Sequence, residues 1–239
     1  MNRQRIWELD ALRGVCILCV IVVHTLFDLV YFAGVQLRLP AWYRFIQQYG
    51  GILFILLSGC CATLGRRRFR RGLIVFGCGM LITAVTWAMY RLGFAGRDVV
   101  VMFGVLHLIG VCMMLYPLFS RLPTAALAPM ALAMVLAGYL MEHTTVQTHV
   151  LFPLGLVYPG FASGDYFPLL PHLGWYLLGV CIGRTLYREK RSLLPQRTGE
   201  FLPMRVFRWC GRQSLLIYLL HQPLVYGLME LVLLLRHAD

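Results

Sequence analysis

Runs of about twenty apolar residues recur from one end of this chain to the other, each long enough to cross a bilayer as a helix. In hydrocarbon a backbone N–H or C=O finds no water, so such a segment must satisfy its own polar groups, and an α-helix does so. Composition agrees: 59% of the 239 residues are hydrophobic and only 13% are charged, with a mean hydropathy of +0.71. No polar stretch is long enough for a soluble domain. The expected fold is therefore all-α, a polytopic transmembrane helix bundle forming one integral domain over 1–239.

Windows of about 19 residues place seven spans near 11–33, 49–65, 72–90, 99–119, 124–141, 167–187 and 211–235. The apolar segment HVLFPLGLVYPGFAS, 149–163, is expected to be re-entrant or interfacial, or else an eighth span. With the N-terminus in the cytoplasm, the connections on that side collect seventeen Lys and Arg residues against five on the other. That asymmetry sets the orientation by the positive-inside rule and leaves the C-terminus outside. It also accounts for the net charge of +12 as topology, so no nucleic-acid partner is expected. The basic start MNRQRIWELDALRG leads into a span too long for a signal-peptide core, with no small-residue cleavage pattern behind it, and is expected to be retained.

The first span, however, contains VVHTLFDLVYF, residues 22–32. An ionisable group at membrane depth costs at least about 2.5 kcal/mol on insertion scales, so His24 and Asp28 need a reason. Four residues apart, they share one helix face. His107 and His221 fall inside other spans, while Asp28, Asp165 and His172 fall nearer the outer face. Three intramembrane histidines with a carboxylate beside one of them favour a polar cavity, although a single histidine can equally tie two helices together. The eight cysteines lie almost all within apolar runs, which argues against a disulfide framework. Cys16 and Cys19 form a CxxC without a second pair, so small-residue packing is expected there and no metal site.

Several strings taken together, RIWELDALRG, VIVVHTLFDLVYF, FILLSG, GRRRFRRG, FGVLHLIGV, SGDYFPLLPHLGWYLLG and GRQSLLIYLLHQP, resemble the bacterial branch of the heparan-α-glucosaminide N-acetyltransferase catalytic-domain family. The resemblance runs from Arg5 to about Pro223 and rests on the order and spacing of these strings. It implies a transmembrane acyltransferase of the bacterial cytoplasmic membrane, moving an acetyl or acyl group from cytoplasmic acyl-CoA, such as acetyl-CoA, to an acceptor reached from the other side. That acceptor would be a sugar amine or hydroxyl, or a related small molecule. The resemblance also implies a catalytic histidine, carried to His24 by the pattern HxxxD. One departure matters: lysosomal members carry asparagine at the position aligned with His24 and their catalytic histidine in the outer segment that follows. Here that segment, AGVQLRLPAWYRFIQQYG, has no histidine. An animal glycosaminoglycan acceptor therefore does not follow.

Acyl transfer needs the acceptor's proton removed as it attacks, and the ordinary pKa of histidine, about 6.5, suits that task. His24 is the candidate base. Asp28, one turn outward, is expected to orient the imidazole, and an acyl-histidine intermediate uses the same residue. In GRRRFRRG, residues 65–72, Arg66, Arg67, Arg68, Arg70 and Arg71 are candidates for the CoA phosphates, since guanidinium forks bind phosphate; topology and anionic lipid account for them equally well. Arg13, paired with Asp10, is a further candidate for donor phosphate or a structural link. His107, Asp165, His172, His221 and Gln222 are candidates to line the acceptor side. For His107 and His221 the alternative is interhelical hydrogen bonding, and for Asp165 it is the capping of the helix that follows. A proton-coupled transporter or lipid-handling protein is the competing class, because intramembrane histidines and acids also mark substrate paths. No internal repeat supports it. A bundle this small is compatible with a homodimer, though no motif specifies one.

Overall fold

A computed structural model describes residues 5–31, 34–65 and 67–238. Among them are eight α-helices and no strand: α1 (Trp7–Tyr31), α2 (Ala41–Ala62), α3 (Arg68–Arg91), α4 (Val105–Phe119), α5 (Thr124–Met141), α6 (Leu169–Leu186), α7 (Leu202–Arg212) and α8 (Ser214–Ala238). The protein is a helical membrane bundle. Trp7–Val30, Ala41–Ala62, Arg68–Arg91 and Thr124–Met141 are each long and apolar enough to cross a bilayer, and Val105–Phe119 and Ser214–Met229 are shorter apolar helices.

Each of the seven expected spans contains a helix, with shifted ends. The helix α2 begins at Ala41 rather than near 49, and α4 at Val105 rather than near 99. Residues 149–163 hold one 3-10 turn, Phe152–Leu154, and loop, with no helix long enough to cross. The short α7 was not expected. Arg205, Arg208 and Arg212 depress its hydropathy below what a 19-residue window detects, although its apolar residues follow helical spacing.

The chain forms two compact units, one of Met1–Phe54 with Lys190–Asp239 and one of Ile55–Glu189. In the first, α1 packs along α7 and against α8. The crossing of α1 and α7 depends on missing side chains: a Cβ on Gly14 would overlap the Phe207 carbonyl, and one on Gly211 the Asp10 carbonyl. In the second unit α3 pairs with α4 and α5 with α6, and α4 also meets α6. There Gly59 of α2 lies against the Tyr176 carbonyl and Gly179 of α6 against the Leu56 carbonyl. Close backbone approach gives dispersion contact and short interhelical distances where hydrophobicity alone supplies no drive between helices. Leu108, Cys112, Leu127, Tyr176, Leu177 and Val180 are fully buried around these crossings. On α3, by contrast, Leu73, Ile74, Leu81, Val85 and Trp87 are exposed, as suits a surface facing lipid.

Helix ends follow local chemistry. After α3, Gly93 takes φ +80, its N–H donating to the Tyr90 carbonyl and that of Phe94 to the Met89 carbonyl. This is a Schellman stop, whose left-handed position glycine fills without a Cβ penalty. In the first turn of α6, Leu170 is extended (φ −103, ψ 128), as expected of a residue preceding proline.

The α2–α6 crossing is tested by Gly59→Val, whose new side chain meets backbone. The expected loss is about 1 to 3 kcal/mol or more, read as a lowered melting temperature in detergent micelles. Gly77→Ala, where a Cβ meets nothing within 4 Å, serves as the neutral control. Equal melting of both variants would contradict the close crossing.

Candidate active site

In the first unit, α1 and α8 bring together four of the residues singled out from the sequence. The His24 and His221 rings lie 5.2 Å apart between centroids, tilted by 57°. Asp28 is fully buried, and the Gln222 side-chain amide bridges its two oxygens, with Nε2 at 3.2 Å from each. An ionised carboxylate only accepts, so the amide must turn its nitrogen toward Asp28 and its oxygen away. Asp28 was expected to orient His24; its observed partner is Gln222. Sequence spacing gave the shared face of α1, but the hydrogen-bond donor comes from α8. Tyr43, buried on α2, lies within electrostatic reach of the same carboxylate.

The tautomer of His221 follows from its neighbour. Its Nδ1 is 2.7 Å from the Tyr218 carbonyl, and a carbonyl only accepts, so Nδ1 carries the hydrogen. In the neutral ring Nε2 is then a bare lone pair. That atom is buried and has no partner among the described residues, and neither has Gln222 Oε1. Pro223, two residues on, cannot donate to the carbonyl four residues back, which loosens the turn from which His221 projects. Two unmatched acceptors and a carboxylate thus converge where His24 faces His221.

In the second unit His107, Asp165 and His172 bond within the fold, while Trp175 Nε1 and the Tyr176 hydroxyl are buried with no partner among the described residues. The Gly104 N–H donates to His107 Nδ1 at 3.2 Å, which leaves the ring hydrogen on Nε2, 3.3 Å from Thr83 Oγ1. Thr83 in turn donates to the Val101 carbonyl at 2.6 Å. The next N–H, of Val105, donates to Asp165 Oδ2 at 3.0 Å. His107 and Asp165 therefore serve the exposed donors at the start of α4, half of a capping box plus a tertiary cap. Asp165 was expected to hold an acceptor or to cap the helix that follows it; it caps α4, some sixty residues earlier. Backbone pairing carries it there, with Gly164 donating to the Val100 carbonyl and Phe167 to the Phe103 carbonyl. His172 donates from Nδ1 to the Pro168 carbonyl at 2.8 Å, within its own first turn.

The arginines divide. Arg68 donates from Nε to the Ala62 carbonyl at 2.6 Å and lies 4.8 Å over the Tyr116 ring. It closes the C-terminus of α2, where a cation is favoured. Arg67, Arg70 and Arg71 are exposed, and Arg66 lies outside the described residues. In the first unit Asp10 lies 3.9 Å from Arg13 and 3.5 Å from Arg212, linking α1 to α7. Among the described residues no three His, Cys, Asp or Glu side chains converge as a metal site, and all eight cysteines are free thiols.

Sequence reasoning missed Tyr43, Thr83 and the Tyr218 carbonyl. Tyr218, three residues before His221, was the legible one, since i and i+3 share a helix face. Thr83 gave no signal, because a threonine hydroxyl in an apolar helix ordinarily bonds its own backbone, and Tyr43 gave none, because aromatic residues near span ends are ordinary.

The family model described as heparan-alpha-glucosaminide N-acetyltransferase, catalytic, matches residues 5–223. No curated protein and no solved structure matches the chain significantly.

Replacing Asp165 by Ala leaves the Val105 N–H without its acceptor. The expected result is a loss of about 1 kcal/mol, in the range of cap deletions, with faster amide exchange in the first turn of α4 and unchanged affinity for any acceptor. Weakened acceptor binding at unchanged melting temperature would restore Asp165 to the ligand site.

Proposed function

The chain belongs to the heparan-α-glucosaminide N-acetyltransferase catalytic family, and from that premise we propose that it transfers an acetyl or short acyl group from cytoplasmic acyl-CoA to a small amine-bearing acceptor, a sugar amine foremost. The whole chain, 1–239, acts as one integral membrane acyltransferase domain, supported by a family match that spans residues of both units. Its setting is a bacterial cytoplasmic membrane, as the resemblance implies.

One observation carries the proposal: a buried histidine nitrogen, fixed as a lone pair by the bond of its other nitrogen, beside a second histidine. As the acceptor nitrogen attacks the thioester carbonyl, a C–N bond forms and the C–S bond breaks. The nitrogen's proton passes to the His24–His221 pair and from there to the departing thiolate, giving free CoA. Asp28, held by Gln222, supplies negative charge that favours a cationic acceptor or a transient imidazolium. The acyl-histidine route places the acyl group on His24 before the amine arrives.

The unmet capacity of the site selects the acceptor's chemistry. His221 Nε2 and Gln222 Oε1 both need a donor. A primary amine brings enough hydrogens for both, a hydroxyl only one. The exposed Arg67, Arg70 and Arg71 are further candidates to attract an anionic donor, by charge alone.

The test is acceptor-dependent thiol release from acetyl-CoA by purified protein, offered amino sugars and their hydroxyl counterparts. His24→Ala and His221→Ala are each expected to lose about 10²-fold or more in turnover, as for a positioned acid–base group, with little change in melting temperature. Amino sugars should be preferred. Full turnover in both variants would reject the histidine pair, and no turnover with any acceptor would reject the acyltransfer.

A further inference from the structure

At the other end of the first unit, a second group of buried polar atoms has the opposite chemical sense. Trp7 opens α1 and is 4% exposed, yet its indole Nε1 is buried with no partner among the described residues. The same holds for Nε of Arg208 on α7. Both side chains border one residue, Gly199, in the 3-10 turn Gln196–Glu200. Arg208 Nη1 donates to the Gly199 carbonyl at 2.8 Å, and a Cβ on Gly199 would sit 2.7 to 3.1 Å from the Trp7 ring. Gly199 thus brings an indole and a guanidinium to the same peptide.

An indole N–H and a guanidinium N–H can only donate. Whatever satisfies them must accept, and the charge around them favours an anion. Of the nearby acids, Glu8 accepts from the Ser192 hydroxyl and from the Leu193 N–H at 2.7 Å, Asp10 faces Arg13 and Arg212, and Glu200, next to Gly199, is exposed. Arg5, Arg197 and Arg205 add exposed positive charge on the same segments. The N-terminus of a 25-residue helix begins at Trp7 itself, and its free N–H groups and dipole favour negative charge.

We propose that Trp7 and Arg208 form a phosphate-binding site, occupied by the phosphates of the acyl donor. That choice of source rests on the function proposed above; an anionic lipid headgroup carries the same chemistry. His24 stands 17 residues further along α1, about 25 Å at the helical rise. A ligand touching both ends must be long and extended, with phosphate at one end and a reactive group at the other, which is the form of coenzyme A.

The experiment titrates the full-length protein in detergent with CoA, with pantetheine, which lacks phosphate, and with a short-chain phosphatidylglycerol. Parent, Trp7→Phe, Arg208→Lys and a control, Trp209→Phe, are compared. Trp7→Phe removes the N–H together with part of the buried indole, so its melting temperature is read alongside, and Arg208→Lys, which leaves Trp7 in place, tests the site independently. About tenfold weaker CoA binding in Trp7→Phe and Arg208→Lys, equal to one lost hydrogen bond to a charged group, is expected, with pantetheine and the Trp209 control unaffected. If the same variants weaken phosphatidylglycerol and not CoA, the donor assignment is overturned and the site belongs to a lipid headgroup. Should the parent bind lipid but no CoA at all, and both variants weaken the lipid, the donor reading of the proposed function fails while the phosphate site stands. Parent-like binding of both phosphate ligands by Trp7→Phe and Arg208→Lys overturns the site.

Discussion

Polar groups inside this bundle must be paired by the protein itself, and the rest of the structure depends on that constraint. Regular helix answers it for most of the backbone, and side chains answer it where helices start and stop. The first N–H groups of α4 go to His107 and Asp165, the last carbonyls of α2 to Arg68, and the loop after α6 to Glu8. Charged and polar residues that look functional in an apolar sequence are, at these three places, part of the fold. Each leaves a donor or acceptor bare if removed, at a cost well above that of an ordinary surface polar contact.

Against that background the few unpaired groups acquire meaning. In the first unit they fall into two sets with opposite sense. His221 Nε2 and Gln222 Oε1 accept and lie beside the fully buried Asp28; Trp7 Nε1 and Arg208 Nε donate and lie beside Gly199. One set suits an amine and the other a phosphate, and α1 carries a member of each environment near its opposite ends. The transfer proposed above, between a phosphate-bearing donor and an amine, calls for both kinds of recognition, and α1 carries Trp7 and His24, 17 residues apart.

The packing serves the same end. Gly14 and Gly211 let α1 and α7 approach until backbone meets backbone, which holds Arg208 against the start of α1. His24 and His221 come together because α1 and α8 pack along one another. Neither helix presents both rings, so the proposed acid–base pair exists only as a product of tertiary contact.

The amino-acid order by itself determined that the chain is an all-α membrane protein, because the hydrocarbon requirement acts on each segment locally and leaves its mark in composition. It also determined the one-turn spacing of His24 and Asp28 and, through its ordered strings, the family. Which polar residue serves which partner was decided only by the tertiary structure. His24, His107 and His221 are alike in that each is a histidine in an apolar run, and a window along the chain does not show which partner each meets. Pairing is a property of atoms on different helices: Gln222 takes Asp28 away from His24, Thr83 and Gly104 use up His107, and Tyr218 fixes the tautomer of His221. Hydrogen bonds are short and directional, so their partners are set by where helices cross, and that information lies in the packing of the whole bundle.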